Sequence, residues 1–168
     1  MGRLYLAIQL FDDSLFSQLQ DGAAQSPRRR LNHNIHSDLS DPVQRLFITL
    51  MPDSYVRPHR HSQSDKWEFF LMLEGTASFV IFSQEGEVLA RHTLCAQGPL
   101  RGLEIPPGTW HSVVALEQPA TFLEVKQGPY QALSAEDMAN WAPAEGEPEV
   151  QAFLQRLKGC QVGDKFNG

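Results

Sequence analysis

Short apolar runs broken by turn-forming residues dominate the middle of this chain and limit its fold more than any other feature. Between residues 31 and 126, about nine runs rich in Val, Ile, Leu, Phe and Thr alternate with Pro, Gly, Asp and Ser, which is typical of successive β-strands. Gly75 and the Glu85-Gly86 pair mark tight turns between such runs. Many short strands favour a sandwich or barrel. We predict strands at 31–36, 45–50, 55–61, 66–74, 76–82, 88–94, 102–105, 110–116 and 121–126.

Helical patterns lie towards the two ends of the chain. Asp12 is a candidate N-cap for an amphipathic segment of about three turns. Ser134 and Pro148 mark the starts of two predicted C-terminal helices, which run to Trp141 and Gly159. We therefore expect one mainly β domain over residues 1–168, with an N-terminal helix and arm at 1–30, a barrel at 31–130, C-terminal helices at 131–160 and a tail at 161–168.

Charge and composition exclude several classes of partner. The formal net charge of −6 disfavours nucleic acid and anionic membrane surfaces, so neither is an expected partner. The basic run from Arg28 to Arg30 is expected to be either solvated or paired within the structure. No stretch reaches the roughly 20 apolar residues of a membrane-spanning helix. With two isolated cysteines and no cleavage-site pattern near the start, we expect a cytoplasmic protein with reduced thiols.

The chemistry of the chain points to a metal site. His59 and His61 are two residues apart, so on a strand their imidazoles project to the same face. Six residues separate His61 from Glu68, enough for a turn that returns the carboxylate beside the imidazole pair. A Pro-Gly turn places His111 at the start of a later strand. This donor set suits one divalent transition-metal ion, namely Fe, Mn, Ni, Cu or Zn, and does not select among them.

Two motifs carry a resemblance to a known superfamily. The run from Pro58 to His61, followed by Glu68 and Gly75, resembles the first cupin motif, and the run from Pro106 to His111 resembles the second. The resemblance implies a single-domain cupin, a double-stranded β-helix or jelly-roll barrel, with His59, His61, Glu68 and His111 as metal ligands. The spacer before Glu68 is longer than the three or four residues usual in that motif. Asp65 fits the shorter spacer but spoils the interval to Gly75, so Glu68 is preferred.

A narrower likeness spans most of the chain. It is similar to the WbuC-like cupin-fold metalloproteins over residues 26–30, the polar positions of 32–36, residues 53–61, Lys66-Trp67-Glu68 and residues 124–130. That likeness supports the longer spacer before Glu68. It implies an association with surface-polysaccharide biosynthesis but no defined reaction.

Other polar residues are candidates for ligand binding, and an apolar run predicts self-association. Asn32, Asn34 and His36 share one face of a predicted strand, and a solvent-facing strand gives the same alternation. The run from Phe69 to Met72 is apolar on both faces, so we expect a homodimer or a covering helix. The candidate small-molecule-binding residues are Asn32, Asn34, His36, Arg45, Tyr55, Lys66 and Trp110.

Three functions remain open from the sequence. The first is a metal-dependent enzyme acting on a small polar metabolite such as a sugar or an oxo acid. The second is a binding or regulatory cupin that holds such a ligand unchanged. The third is a metal-free carbohydrate isomerase or epimerase that uses His59 or His61 as a base and a tyrosine as an acid.

Overall fold

The structure, a computed structural model, describes residues 8–167. Residues 1–7 of the predicted N-terminal arm and residue 168 of the predicted tail lie outside the described part. None of the helices within residues 8–167 is both long and apolar enough to cross a bilayer. The elements are α1 (Asp13–Gln25), β1 (Arg30–Asn34), β2 (Val43–Leu50), β3 (Glu68–Glu74), β4 (Thr76–Phe82), β5 (Val88–Cys95), β6 (Gly102–Ile105), β7 (Trp110–Ala115), β8 (Ala120–Gln127), a short 3-10 helix (Ala135–Asp137) and α2 (Val150–Gly159).

The strands form two antiparallel sheets. The larger sheet has five strands in the order β1-β2-β8-β3-β6, and the smaller has three in the order β5-β4-β7. Strands that follow each other in the chain, such as β3 and β4 or β6 and β7, lie in different sheets, so the chain repeatedly crosses between them. Facing antiparallel sheets joined in this way make a jelly roll, as the sequence predicts.

The core between the sheets is built on three phenylalanines. Phe70, Phe79 and Phe122 come from β3, β4 and β8, and their ring centroids lie 4.9 to 6.0 Å apart. Buried Leu50 and Val113 belong to the same cluster. Because Phe79 and its neighbour Val80 point to opposite faces of β4 and both are buried, the smaller sheet must also be covered on its outside.

Helices supply the outer cover. The buried face of α2, formed by Phe153, Leu154 and Leu157, packs in one cluster with Val80 and Phe82 of β4. The other helix, α1, contacts β1 and β2, and its Asp12 cap is confirmed, since the Asp12 carboxylate accepts a hydrogen bond from the Leu15 N–H. A jelly roll with one covering helix on each sheet results.

The predicted turns between strands are confirmed. Gly75 has φ +72° in the turn between β3 and β4, and a Cβ there would lie only 2.2 Å from the Pro119 carbonyl oxygen. Gly86 has φ +86° in the turn between β4 and β5. At Gly75 both the left-handed backbone and the close approach of another chain segment demand glycine.

Two predicted elements are wrong, and the contacts between the two segments explain both. Residues 55–61 do not form a strand, and only His59 makes bridges, one to His111 and one to Met138. The predicted helix after Ser134 shrinks to the short 3-10 helix. The Arg60 N–H donates to the Asp137 carbonyl and the Ala139 N–H to the Pro58 carbonyl, so these backbone groups join the two segments instead of forming helical bonds.

The basic run is paired, which is one of the two arrangements expected from the sequence. Arg28 and Arg30 both bind the Glu145 carboxylate, and Arg29 binds Asp53. The two pairs with Glu145 join the start of β1 to the loop that precedes α2, and the pair with Asp53 joins it to the turn after β2.

Candidate functional site

Both sheets contribute to the meeting point of the four predicted metal ligands. Glu68 is the first residue of β3 in the larger sheet, and His111 is the second residue of β7 in the smaller one. His59 is tied to His111 by two backbone hydrogen bonds of 3.0 and 2.9 Å. The imidazole centroids lie 4.5 Å apart for His59 and His111, 5.5 Å for His59 and His61, and 6.3 Å for His61 and His111. The predicted ligands are thus close neighbours.

The Glu68 carboxylate lies between two imidazoles. Its Oε1 is 3.1 Å from His61 Nε2, and its Oε2 is 3.1 Å from His111 Nε2. Glu68 and His111 are buried, with 4% and 3% of their surfaces exposed. As the side chains stand, no group of three or more His, Cys, Asp or Glu within residues 8–167 is arranged to hold a metal ion. The carboxylate is instead engaged with the two imidazoles.

Backbone carbonyls fix the tautomers of two of the imidazoles. His59 Nδ1 is 2.9 Å from the Arg57 carbonyl oxygen, and His111 Nδ1 is 2.9 Å from that of Thr109. A carbonyl oxygen can only accept, so each Nδ1 carries a proton and donates it. The Nε2 atom is then the one left to bind a cation, as in metal-ligating histidines whose other nitrogen is held by a carbonyl.

Burial and charge shift the pKa values of these groups in opposite directions. Burial, helped by the neighbouring His111, lowers the pKa of His59 to about 3, so His59 is neutral at pH 7. Burial alone would raise the pKa of Glu68, but the hydrogen bonds with His111 and His61 hold it well below its usual value. For His111 burial opposes the charged form, yet the Glu68 carboxylate raises its pKa. The Glu68 carboxylate therefore favours a positive charge on the His111 imidazole.

A cavity of about 470 Å³ opens beside this group. Its size is in the range of small-molecule sites. The core residues Leu50, Phe70, Val113 and Phe122 form part of its wall, so the cavity ends on the apolar interior of the barrel. Apart from the predicted ligands, its polar lining includes Arg30, Gln44, Lys66, Glu124, Lys126 and Tyr130.

An ion pair in this cavity was missed from the sequence. Lys126 Nζ lies 2.5 Å from Glu124 Oε1, and both residues line the cavity from β8. Burial would lower the pKa of Lys126, but the Glu124 carboxylate, together with nearby Glu68, raises it. The available signal was the alternation of Phe122, Glu124 and Lys126 along one face of a strand, which places the two charges on the same side as a core phenylalanine.

Of the seven residues predicted to bind a ligand, all within the described part of the chain, Lys66 alone lines the cavity. Lys66 is buried, and its Nζ donates to the carbonyls of Gln127 and Pro129 at 3.2 and 2.8 Å. Trp110 precedes His111 on β7 and therefore points to the opposite face, where it packs in the cluster under α2. The Tyr55 hydroxyl is also directed away, since it donates to the Pro143 carbonyl.

The remaining four lie on or beside the edge strand β1. Asn32 pairs with Ile48, so it faces the same side of the sheet as a cavity residue. Because β1 is the outermost strand, Asn32 and Asn34 are exposed and bond to each other. His36 is buried with Nδ1 against the backbone of Arg45, whose side chain is exposed. The structure does not bring these four to the cavity.

Comparison with models of protein families shows the family to which this chain belongs. The model of a family described as "Domain of unknown function (DUF6016)" matches residues 11–94, which is half of the chain. The chain belongs to this family. The DUF6016 match begins just before α1, ends within β5 and includes His59, His61 and Glu68, whereas His111 lies beyond it. No curated protein matches the chain.

Solved structures resemble this DUF6016 protein in fold. Oxalate oxidase in complex with the substrate analogue glycolate matches with a TM-score of 0.51 at 13% identity, over 65% of this chain and 56% of its own, so the chain spans little more than half of that protein. KdgF from Halomonas sp. matches with a TM-score of 0.47 at 17% identity, covering 63% and 83% of the two chains. A cupin 2 domain-containing protein from Halorhodospira halophila gives 0.46 at 19% identity, covering 64% and 72%. The mainly β jelly roll predicted from the sequence is confirmed for this DUF6016 protein.

Proposed function

We propose that this protein is a metal-dependent enzyme in which His59, His61, Glu68 and His111 hold one divalent transition-metal ion. The adjoining cavity binds the substrate, a small polar metabolite such as a sugar or an oxo acid. The observation that carries the proposal is the buried Glu68 carboxylate, which lies 3.1 Å from the Nε2 atoms of both His61 and His111. The third imidazole, of His59, packs against His111.

The donor set fits a cation at this point. A neutral imidazole nitrogen and a carboxylate oxygen both carry lone pairs, so their close approach requires a proton or a metal ion between them. The Nδ1 atoms of His59 and His111 donate to backbone carbonyls, which leaves both Nε2 atoms for the ion. Metal binding requires the Glu68 carboxylate to give up its hydrogen bonds with His61 and His111 in exchange for the ion.

The cavity beside the proposed metal site has both an apolar wall and polar side chains, as a site for metal-assisted catalysis requires. A divalent ion supplies Lewis acidity to an oxygen of a bound ligand. The apolar side chains of Leu50, Phe70 and Phe122 form the inner wall of the cavity and exclude water from that side of the ligand. The polar side chains of Lys126 and Tyr130 line the same cavity and are available to orient the ligand, and Gln44 adds its amide oxygen, since its nitrogen already donates to the Leu39 and Asp41 carbonyls.

Metal content tests the proposal. We expect protein purified without added ions to contain about one transition-metal ion per chain, and His59→Ala or Glu68→Gln to weaken metal affinity by at least about tenfold, since even partners of ligands contribute that much. Elemental analysis of desalted protein measures the content, and titration of chelated protein measures the affinity. His92→Ala is the matched control, because His92 is exposed on β5.

Activity provides the second half of the test. In a panel of sugars, sugar nucleotides and oxo acids, we expect the protein to convert at least one compound. That turnover should stop when the metal is chelated and return when one metal is added. Wild-type protein that neither contains nor binds a transition metal contradicts the proposal. A ligand that raises the melting temperature of metal-loaded protein and is recovered unchanged supports a binding module instead of an enzyme.

One observation favours a second candidate, a metal-free isomerase or epimerase. Such an enzyme needs an acid opposite the imidazole base, and Tyr130 lines the same cavity as His59 and His61. Turnover that survives complete chelation but is lost in Tyr130→Phe would support this reaction. The resemblance to WbuC-like cupins adds a metabolite of surface-polysaccharide biosynthesis to the substrates worth testing under either reaction.

A further inference from the structure

We propose that the Glu124–Lys126 pair is a second recognition point in the cavity and that it selects a small hydroxycarboxylate. In this assignment the ligand carboxylate accepts from Lys126, and a neighbouring ligand hydroxyl donates to Glu124. The inference rests on the proposed function, because it takes the group around Glu68 as the metal end of the same cavity.

Strand register places Lys126 directly beside the proposed metal site. On β8 it pairs with Glu68 of β3 on one side and with Gln44 of β2 on the other. Directly paired residues face the same side of a sheet with Cβ atoms about 5 Å apart. Gln44, Lys126 and Glu68 thus form a polar row across three adjacent strands, and all three line the cavity. A ligand of three or four carbons at the Glu68 end reaches Lys126 along this row.

Glu124 lies one step deeper on the same face of β8. It pairs with Phe70 of β3, which forms part of the apolar wall. Its side chain is only 7% exposed, whereas that of Lys126 is 24% exposed. Burying an ion pair costs desolvation energy that the pair alone often does not recover. Its position at a cavity surface lets a polar ligand complete the hydrogen bonding of both groups.

One basic side chain of the cavity is left to attract an anion. Four basic side chains line the cavity, those of Arg28, Arg30, Lys66 and Lys126, and its acidic side chains besides Glu68 are those of Glu124 and Asp137. Arg28 and Arg30 bind Glu145, Lys126 binds Glu124, and Asp137 is paired with Arg60. Among residues 8–167 Lys66 makes no ion pair, and its Nζ donates to backbone carbonyls. The positive charge of Lys66 attracts a carboxylate into the cavity, and the Glu124 carboxylate adds an acceptor for a hydroxyl.

Three probes of similar size separate the parts of this assignment. Glycerate carries both a carboxylate and hydroxyls, glycerol lacks the carboxylate, and propionate lacks the hydroxyls. We expect metal-loaded wild-type protein to bind glycerate more tightly than either of the other two in calorimetric titrations. Lys126→Met should weaken glycerate binding by at least about tenfold, the usual effect of a lost charge-assisted hydrogen bond. Glu124→Gln should reduce the preference for glycerate over propionate.

Controls keep the outcomes distinct. Lys165→Met removes an exposed lysine outside the cavity and should leave glycerate binding unchanged. If either single variant fails to fold because one buried charge is left alone, the Glu124→Gln, Lys126→Met double variant removes both and should still lose the glycerate preference. Equal binding of glycerate and glycerol, or full glycerate binding by folded Lys126→Met, overturns the inference.

Metal content measured on the same samples identifies which proposal has failed. Metal-loaded wild-type protein that does not bind glycerate contradicts the role of the Glu124–Lys126 pair alone. Wild-type protein without metal contradicts the proposed function.

Discussion

Glu68 is buried between two imidazoles, whereas Asp65, three residues earlier, is exposed. The long spacer after His61 explains the difference, because it folds into a turn in which the Lys66 N–H donates to the Gln63 carbonyl and the Trp67 N–H to that of Asp65. The additional residues therefore lie in this turn, and β3 begins after it, with Glu68 as its first residue.

A second carboxylate, that of Glu145, makes stability depend on pH. Burial would raise the pKa of Glu145, but hydrogen bonds from Arg28 and Arg30 lower it. A depressed folded-state pKa adds stability above the unfolded-state pKa, about 4.3 for Glu, and that stability is lost as pH falls through the folded-state pKa. We expect Glu145→Gln to lower the free energy of unfolding at pH 7 by about 1 kcal/mol, since the group is partly exposed.

Urea unfolding of wild type and Glu145→Gln at several pH values measures this effect. The difference between them should shrink as pH falls below the unfolded-state pKa of about 4.3 and disappear once the folded-state carboxyl is also protonated. Glu117→Gln, at an exposed loop position, should match wild type throughout. A difference for Glu145→Gln that is independent of pH would mean that the ion pairs with Arg28 and Arg30 do not stabilise the fold.

Strands were easier to predict than the segments that link them. The predicted strands at 66–74, 76–82, 88–94 and 121–126 correspond to β3, β4, β5 and β8 within two residues, because turn residues bound each apolar run. Residues 55–61 and 134–141 were predicted wrongly because their conformation depends on each other, through the contacts of His59 with Met138 and of Pro58 with Ala139. Contacts between distant segments leave no periodicity in either segment.

The same distinction holds at the candidate site. Sequence motifs were enough to bring together His59, His61, Glu68 and His111. Glu124 and Lys126 escaped prediction because charged residues alternating with apolar ones on a strand usually indicate a solvent-facing side. Here that side of β8 faces the cavity, which His111 and Val113 of β7 line from the smaller sheet.

Helix α2 stabilises the smaller sheet from the outside. Leu154 is fully buried among residues of β4 and β7, including Val80 and Val114. We expect Leu154→Ala to lower the free energy of unfolding by about 2 to 5 kcal/mol, the usual cost of truncating a buried leucine. Urea unfolding measures the change, with Gln155→Ala on the exposed face of the same helix as the control. An equal, small effect in both variants would show that α2 contributes little to stability.

On the outside of the larger sheet, the face of β3 and β8 carries apolar residues, and the helices within residues 8–167 pack mainly on other strands. Phe69 and Leu71 of β3 pair with Val125 and Leu123 of β8, and these four half-buried residues form an outer β3–β8 patch. Helix α1 packs on β1 and β2, and α2 packs on β7. Apolar faces of this kind commonly mark an association surface. The homodimer predicted from the sequence therefore has a candidate interface.

We expect the protein to be a dimer in solution and Leu71→Glu to convert it to a monomer, because a charge at the centre of a symmetric apolar interface is repeated on both subunits and left unpaired. Light scattering coupled to size-exclusion chromatography over a concentration series measures the mass. Leu89→Glu, at an exposed leucine on β5, introduces the same charge away from the patch and should remain dimeric. A wild-type monomer, or a Leu71→Glu dimer, would show that the outer β3–β8 patch is not the interface.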